Sequence, residues 1–127
     1  MKHILIVDND PLFALTVSSV LTNQNYQVSI APNGKEAAGQ LAANHFDLII
    51  TDALMPYASG PELINKVRNN YHNRYTPVMV VSSVANEHNI TSLFRVGADA
   101  YLKKPLDLPE LLLQVRQLTV TERYVAA

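Results

Sequence analysis

The chain has 127 residues, 48% apolar and 17% charged, against roughly 25% charged in an average globular protein, which excludes disorder and collagen-like repeats. It contains no cysteine, so disulfides, thiol nucleophiles, Cys-rich zinc sites and iron–sulfur chemistry are excluded, and the composition suits a reducing cytoplasm. A net charge of −1 gives no electrostatic reason to expect this domain to bind nucleic acid or a membrane surface.

The first apolar run, Ile4-Leu5-Ile6-Val7, follows Met1-Lys2-His3 with no signal-peptide layout and is far too short to span a membrane. It reads as a strand buried on both faces. Asp8-Asn9-Asp10 comes next, with Asp10 the expected N-cap of a helix that opens at Pro11 and carries Leu12, Leu15, Val20 and Leu21 as its apolar positions. Val28-Ser29-Ile30 is the second strand; Asn33-x-x-Glu36 then caps a helix marked by Ala37, Ala38, Leu41 and Ala42. Leu48-Ile49-Ile50 is the third strand and runs out at Asp52. Ser59-Gly60-Pro61-Glu62 fits a capping box ahead of Leu63, Ile64 and Val67. The polar stretch from Asn69 to Tyr75 is expected to be a long loop extending that helix. Val78-Met79-Val80-Val81 leads to Ser82-Ser83, and a fourth helix with Ile90, Leu93, Phe94 and Val96 ends where Gly97 supplies a left-handed C-cap. Ala100-Tyr101-Leu102 leads to Lys103-Lys104-Pro105. Asp107-x-x-Glu110 then opens the last helix, with Leu111, Leu112, Val115 and Leu118 along it and Leu106 placed to staple onto Leu111. Thr119 onward has no partner in this scheme: the domain is set at 1–119, with 120–127 a C-terminal tail or the start of a removed segment.

Five strand–helix units imply parallel strands joined by right-handed crossovers in a doubly wound α/β sheet. In such sheets ligands bind at the carboxyl ends of the strands. Asp8, Asn9, Asp10, Asp52, Ser82, Ser83 and Lys104 should therefore converge on one edge. Two carboxylates 4 Å apart repel by about 4 kcal/mol at an effective dielectric near 20, so the cluster favours a divalent cation or raised pKa values. Oxygen ligands without His or Cys favour magnesium over zinc. Asp52 is then placed to attack phosphorus, Lys104 to balance the charged oxygens, and Ser82 to donate a hydrogen bond to one of them.

These residues carry a resemblance. Ile6-Val7-Asp8-Asn9-Asp10, Asp52-Ala53-Leu54-Met55-Pro56 with Gly60, Pro77 to Ser82-Ser83, Gly97-Ala98 and Tyr101-Leu102-Lys103-Lys104-Pro105 together resemble a CheY-like response-regulator receiver domain of two-component signalling. The resemblance covers roughly residues 2 to 118. It implies a flavodoxin-like (βα)5 three-layer sandwich with strand order 2-1-3-4-5. It also implies that Asp52 accepts a phosphoryl group from the phosphohistidine of a histidine kinase or phosphotransfer protein, with Mg2+ as cofactor. The metal would be held by Asp8, Asp52 and the backbone carbonyl of Leu54, with Asn9 a weak or water-mediated ligand. Lys104 matches the family's lysine, and its bond to Pro105 is expected to be cis. Ser82 and Tyr101 match the switch positions: a phosphoryl group draws in the Ser82 hydroxyl, and the Tyr101 ring turns into the space vacated. The face altered is that of the fourth helix, fifth strand and fifth helix, where partners or a second copy bind. The domain is expected to act in the cytoplasm of a bacterium, without nucleic acid or membrane as a partner of its own, and to catalyse only its own phosphorylation and slow dephosphorylation.

The chain departs from the family pattern at Asn9, where most receivers carry a second acid. Losing such a partner typically lowers metal affinity roughly ten- to a hundredfold. Ser82 replaces the commoner threonine and keeps its hydroxyl, and Ser83 leaves room for a phosphoryl group. Leu54 and Val84 are apolar where polar side chains can position a hydrolytic water, so the aspartyl phosphate is expected to be long-lived. His3, His45, His72 and His88 are dispersed and read as surface or strand-edge residues. Three other readings compete. A haloacid-dehalogenase-type phosphatase fits the D-x-D spacing of Asp8 and Asp10 but leaves Asp52 unexplained. A dinucleotide-binding enzyme lacks its G-x-G-x-x-G. A pseudo-receiver, binding partners without phosphorylation, has Asn9 in its favour. The stretch Leu118 to Arg123 resembles faintly the opening of a LuxR-type DNA-binding domain.

Overall fold

The computed structural model describes residues 1–53, 59–83 and 87–120, with the backbone alone described for 87–89. Five strands, β1 (His3–Val7), β2 (Gln27–Ala31), β3 (Leu48–Asp52), β4 (Val78–Ser82) and β5 (Ala100–Lys103), alternate with five helices. The helices are α1 (Pro11–Thr22), α2 (Gly34–Ala43), α3 (Gly60–Arg68), α4 (Glu87–Arg95) and α5 (Leu108–Val120). All strand pairs are parallel, in the order β2-β1-β3-β4-β5.

Side chains alternate across a strand, so each central strand feeds both faces of the sheet. Leu5, Val7, Ile49, Val78 and Val80 face a core closed by α2, α3 and α4, through residues such as Leu41, Ile64 and Leu93. Ile4, Ile6, Ile50, Met79 and Val81 face the other core, closed by Ala14, Val17 and Leu21 of α1 and by Leu111 and Val115 of α5. This two-sided burial is why the strands read as unbroken apolar runs.

The face of α1 differs from expectation. Leu12 and Leu15 are 75% and 62% exposed; Leu21 is buried as expected, and Ala14 and Val17 complete the buried stripe. The two leucines at the start of the helix are left turned outward. Leu12→Ser and Leu15→Ser should each change stability by less than about 0.5 kcal/mol, whereas Val17→Ala should cost about 2 kcal/mol. Urea denaturation of the three variants checks the assignment, and a large loss at Leu12 would reverse it.

The caps form where the sequence places them. Asp10 accepts from the N–H groups of Leu12 and Phe13, Asn33 from Glu36, and Ser59 from Glu62. The Glu62 carboxylate turns back to the Ser59 hydroxyl at 3.3 Å, rather than to the backbone N–H of a standard capping box. Gly97 has φ +117°, and the Ala98 N–H reaches the Leu93 carbonyl at 3.0 Å, closing α4 in the left-handed manner expected.

Two findings correct the loop and tail. Asn73, in the polar stretch after α3, is fully buried. Its side-chain oxygen accepts from Phe46 N–H at 2.8 Å, and its amide donates to the carbonyls of Leu41 and Asn44 at 3.1 and 2.8 Å. The loop thus ties the α2–β3 turn to β4. Thr119, assigned to a tail without partners, belongs to α5: it is buried, bonds back to the Val115 carbonyl at 2.7 Å, and lies 3.4 Å from the Tyr26 hydroxyl. Residues 121–127 lie outside the described residues.

Candidate active site

The register pairs Val7 with Thr51, Asp52 with Val81, and Ser82 with Lys103, so the next residues of β1 and β5 emerge beside Asp52 and Ser82 at one sheet edge. Asp8, one residue past β1, is buried; its Oδ1 accepts from Asp10 N–H at 2.9 Å, a bond that fixes the carboxylate's orientation. Lys104, one residue past β5, is anchored by its own N–H to the Ser82 carbonyl at 3.0 Å, and the Lys104–Pro105 peptide is cis.

The Lys104 ammonium joins the two acids. Its Nζ donates to Asp8 Oδ2 and to Asp52 Oδ2, both at 2.9 Å. Burial opposes the charge on Lys104, but the hydrogen bonds to Asp52 and Asp8 and the attraction of both carboxylates outweigh it and raise its pKa. The lysine is therefore held as a cation. Its third side faces an aromatic ring, with Nζ 4.0 Å from the centroid of Phe13, a residue the sequence pattern did not single out.

Ser82 is buried, and its carbonyl accepts from the Tyr101 hydroxyl at 3.3 Å. The Tyr101 ring is thus turned toward the end of β4. Burial raises the Tyr101 pKa, the charge of Asp52 adds to that shift, and the bond to Ser82 opposes it. The phenol stays protonated and able to donate.

The other expected residues fall outside this cluster. Asn9, Ser83 and Lys103 are exposed at its rim, and Asp10 is spent on the α1 cap. Leu54, Met55, Pro56, Val84 and the His88 side chain lie outside the described residues. His3 bonds Ser29 at 2.7 Å and packs on Phe46, and its pKa is lowered by burial against the pull of Asp47. His45 and His72 are exposed. Among the described residues no three His, Asp or Glu side chains gather as a metal cluster.

The donor set nevertheless fits magnesium. That ion keeps several waters and is commonly held by one or two carboxylates together with phosphate oxygens, and Asp8 and Asp52 supply two hard oxygen donors on a single cation. Among the described residues no helix is long and apolar enough to cross a membrane.

A family model described as response regulator receiver domain matches residues 4–116. The chain is 32% identical over 116 residues to the transcriptional regulatory protein CrdR of Helicobacter pylori, covering 91% of this chain and 54% of that protein. It is 31% identical to the response regulator ArlR of Staphylococcus saprophyticus, covering 91% of this chain and 51% of the relative. The chain spans about half the length of the curated relatives it matches. Among solved structures it is similar to the chemotaxis protein CheY4 of Vibrio cholerae, with TM-score 0.88, 29% identity, and coverage of 93% of this chain and 98% of that one. It is also similar to the receiver domain of the Francisella response regulator 1452, with TM-score 0.87, 29% identity, and coverage of 94% and 98%.

Proposed function

Because the chain belongs to the response regulator receiver domain family of two-component systems, we propose that it is a phosphorylation-dependent switch whose acceptor is Asp52. The observation that carries this reading is the Lys104 ammonium shared between Asp8 and Asp52 at 2.9 Å each. A Lys104 oxygen partner at Asp52 marks the place where a phosphoryl oxygen can take over the same hydrogen bond.

In this reading an Asp52 oxygen forms the new O–P bond as the P–N bond of a donor phosphohistidine breaks, and the imidazole leaves as the neutral base after taking a proton. Lys104 balances the developing charge on the transferred oxygens. Ser82 donates its hydroxyl to one of them, and exposed Ser83 leaves the space beside Asp52 open. Asp8 and Asp52 would hold Mg2+, with the Leu54 carbonyl as a further ligand and Asn9 weak or acting through water. The ion supplies electrostatic stabilisation to the phosphoryl oxygens. Asp10 keeps Asp8 in place through its backbone N–H.

The donor is a histidine kinase or phosphotransfer protein, and the outward leucines Leu12 and Leu15 give it an apolar face next to the site. The output is the α4-β5-α5 face, reached through Ser82 and Tyr101, with a second copy as one binder. The expected setting is bacterial cytoplasm, and neither nucleic acid nor membrane is a partner of this domain. Residues 1–119 carry the receiver function, with Val120 closing α5. One observation favours the pseudo-receiver as a second reading: the amide Asn9 at the position of an acid.

Intact-mass measurement after incubation with acetyl phosphate and magnesium separates the two. Wild type should gain one phosphoryl mass, and Asp52→Ala should gain none. If wild type stays unmodified while Asn9→Asp is modified, the site is disabled at the metal and the pseudo-receiver reading replaces the switch.

A further inference from the structure

An ammonium has three N–H donors, and Lys104 spends two on Asp8 and Asp52. The remaining side lies over Phe13, with Nζ 4.0 Å from the ring centroid. A cation at this distance from a ring face is attracted by the ring's quadrupole, and more strongly where it is shielded from water. Lys104 is shielded, with 19% of its side chain exposed.

Phe13 is itself fixed. It occupies the first turn of α1, its N–H donates to the Asp10 carboxylate at 3.3 Å, and its ring packs against the core shared by α1 and α5. It lies off the buried stripe of Ala14, Val17 and Leu21 and remains half-buried, lining a cleft with Lys104, Pro105 and Leu106. The ring therefore meets the core on one side and Lys104 on its face.

We propose that Phe13 is a positioning residue for Lys104. The ring face holds the ammonium toward the sheet edge while its hydrogen-bond partners change from carboxylate to phosphoryl oxygens. A ring face suits this task because its attraction is broad: Nζ can shift across it without losing the contact, whereas a fixed lone pair holds a donor along one direction. The inference rests on the reading of Asp52 as a phosphoacceptor and adds a residue outside the strand-end motifs.

The test uses the full chain with Phe13 replaced by a ring-trifluorinated phenylalanine, which keeps the ring's shape and removes its negative face. Phe13→Leu and Phe13→Tyr are made alongside. Two quantities are read: the initial rate of phosphoryl mass gain from acetyl phosphate with magnesium, and the ordering of the Lys104 ammonium from nitrogen-15 relaxation without a phosphodonor. Melting temperatures confirm that the variants are folded. The fluorinated and leucine chains should be labelled about three- to tenfold more slowly and show a less ordered ammonium, with Phe13→Tyr within about twofold of wild type. Wild-type rates in the fluorinated and leucine chains, or an unchanged ammonium, overturn the role of Phe13. No mass gain in wild type would instead remove the phosphoacceptor reading, and the ordering of Lys104 alone would then decide whether the ring holds it.

Discussion

Restoring a carboxylate at the rim of the site, Asn9→Asp, should raise magnesium affinity roughly ten- to a hundredfold. Asn9 is exposed and directly follows buried Asp8, so a carboxylate there can face the cation, or a water bound to it, without entering the core. The added charge joins Asp8 and Asp52, which have one shared counter-ion in Lys104. Without a divalent cation this third carboxylate adds repulsion and should lower stability slightly. With magnesium in excess the order reverses, because binding to the folded state alone contributes stability as RT ln(1 + [L]/Kd). Calorimetric titration of wild type and Asn9→Asp with magnesium gives the affinities, and thermal melts with and without the metal give the crossover. Equal affinities would mean that the position takes no part in holding the ion.

The second large effect lies far from that edge. Asn73→Ala should destabilise the fold by about 3–5 kcal/mol, because it removes several bonds and leaves buried groups without partners at a cost of about 1–3 kcal/mol each. The Phe46 N–H loses its acceptor, and the carbonyls of Leu41 and Asn44 lose a donor. Thr76, whose hydroxyl bonds both the Phe46 carbonyl and Asn73, loses part of its support. For a chain of this length the change corresponds to a fall in Tm of roughly 10–20 °C. Asn69→Ala, at an exposed position of the same stretch, should be nearly neutral and serves as control. Urea unfolding should show a lower midpoint at unchanged slope for Asn73→Ala. A loss below about 1 kcal/mol would mean that water replaces the amide, and that the loop is less sealed than its burial indicates.

The strands and their ends were legible because a parallel sheet buried on both faces leaves a coarse signal: Ile4 to Val7 and Val78 to Val81 are apolar at every position. Once the strands are placed, Asp8, Asp52, Ser82 and Lys104 follow at their ends without further assumptions. The face of α1 was misread because periodicity weights large apolar side chains, whereas the contact with the sheet uses Ala14 and Val17 and leaves two leucines outside. Asn73 was missed for the opposite reason. A buried amide looks the same in sequence as the solvated asparagines around it, and what distinguishes it is three distant backbone groups that need partners. Phe13 escaped notice because an aromatic in a helix carries no mark of the lysine that meets it 91 residues later, at 4.0 Å.

The bond between Lys104 and Asp8 joins residues 96 positions apart, and that between Lys104 and Asp52 joins residues 52 apart. β1 and β5 are not neighbours, since β3 and β4 stand between them. Every link in such a sheet closes a long loop before its contacts return the entropy spent. A chain emerging from the ribosome has both acids long before it has the cation that joins them. Until β5 docks, Asp8 and Asp52 lack their common partner, so the joined carboxylates report that β1, β3, β4 and β5 are in place.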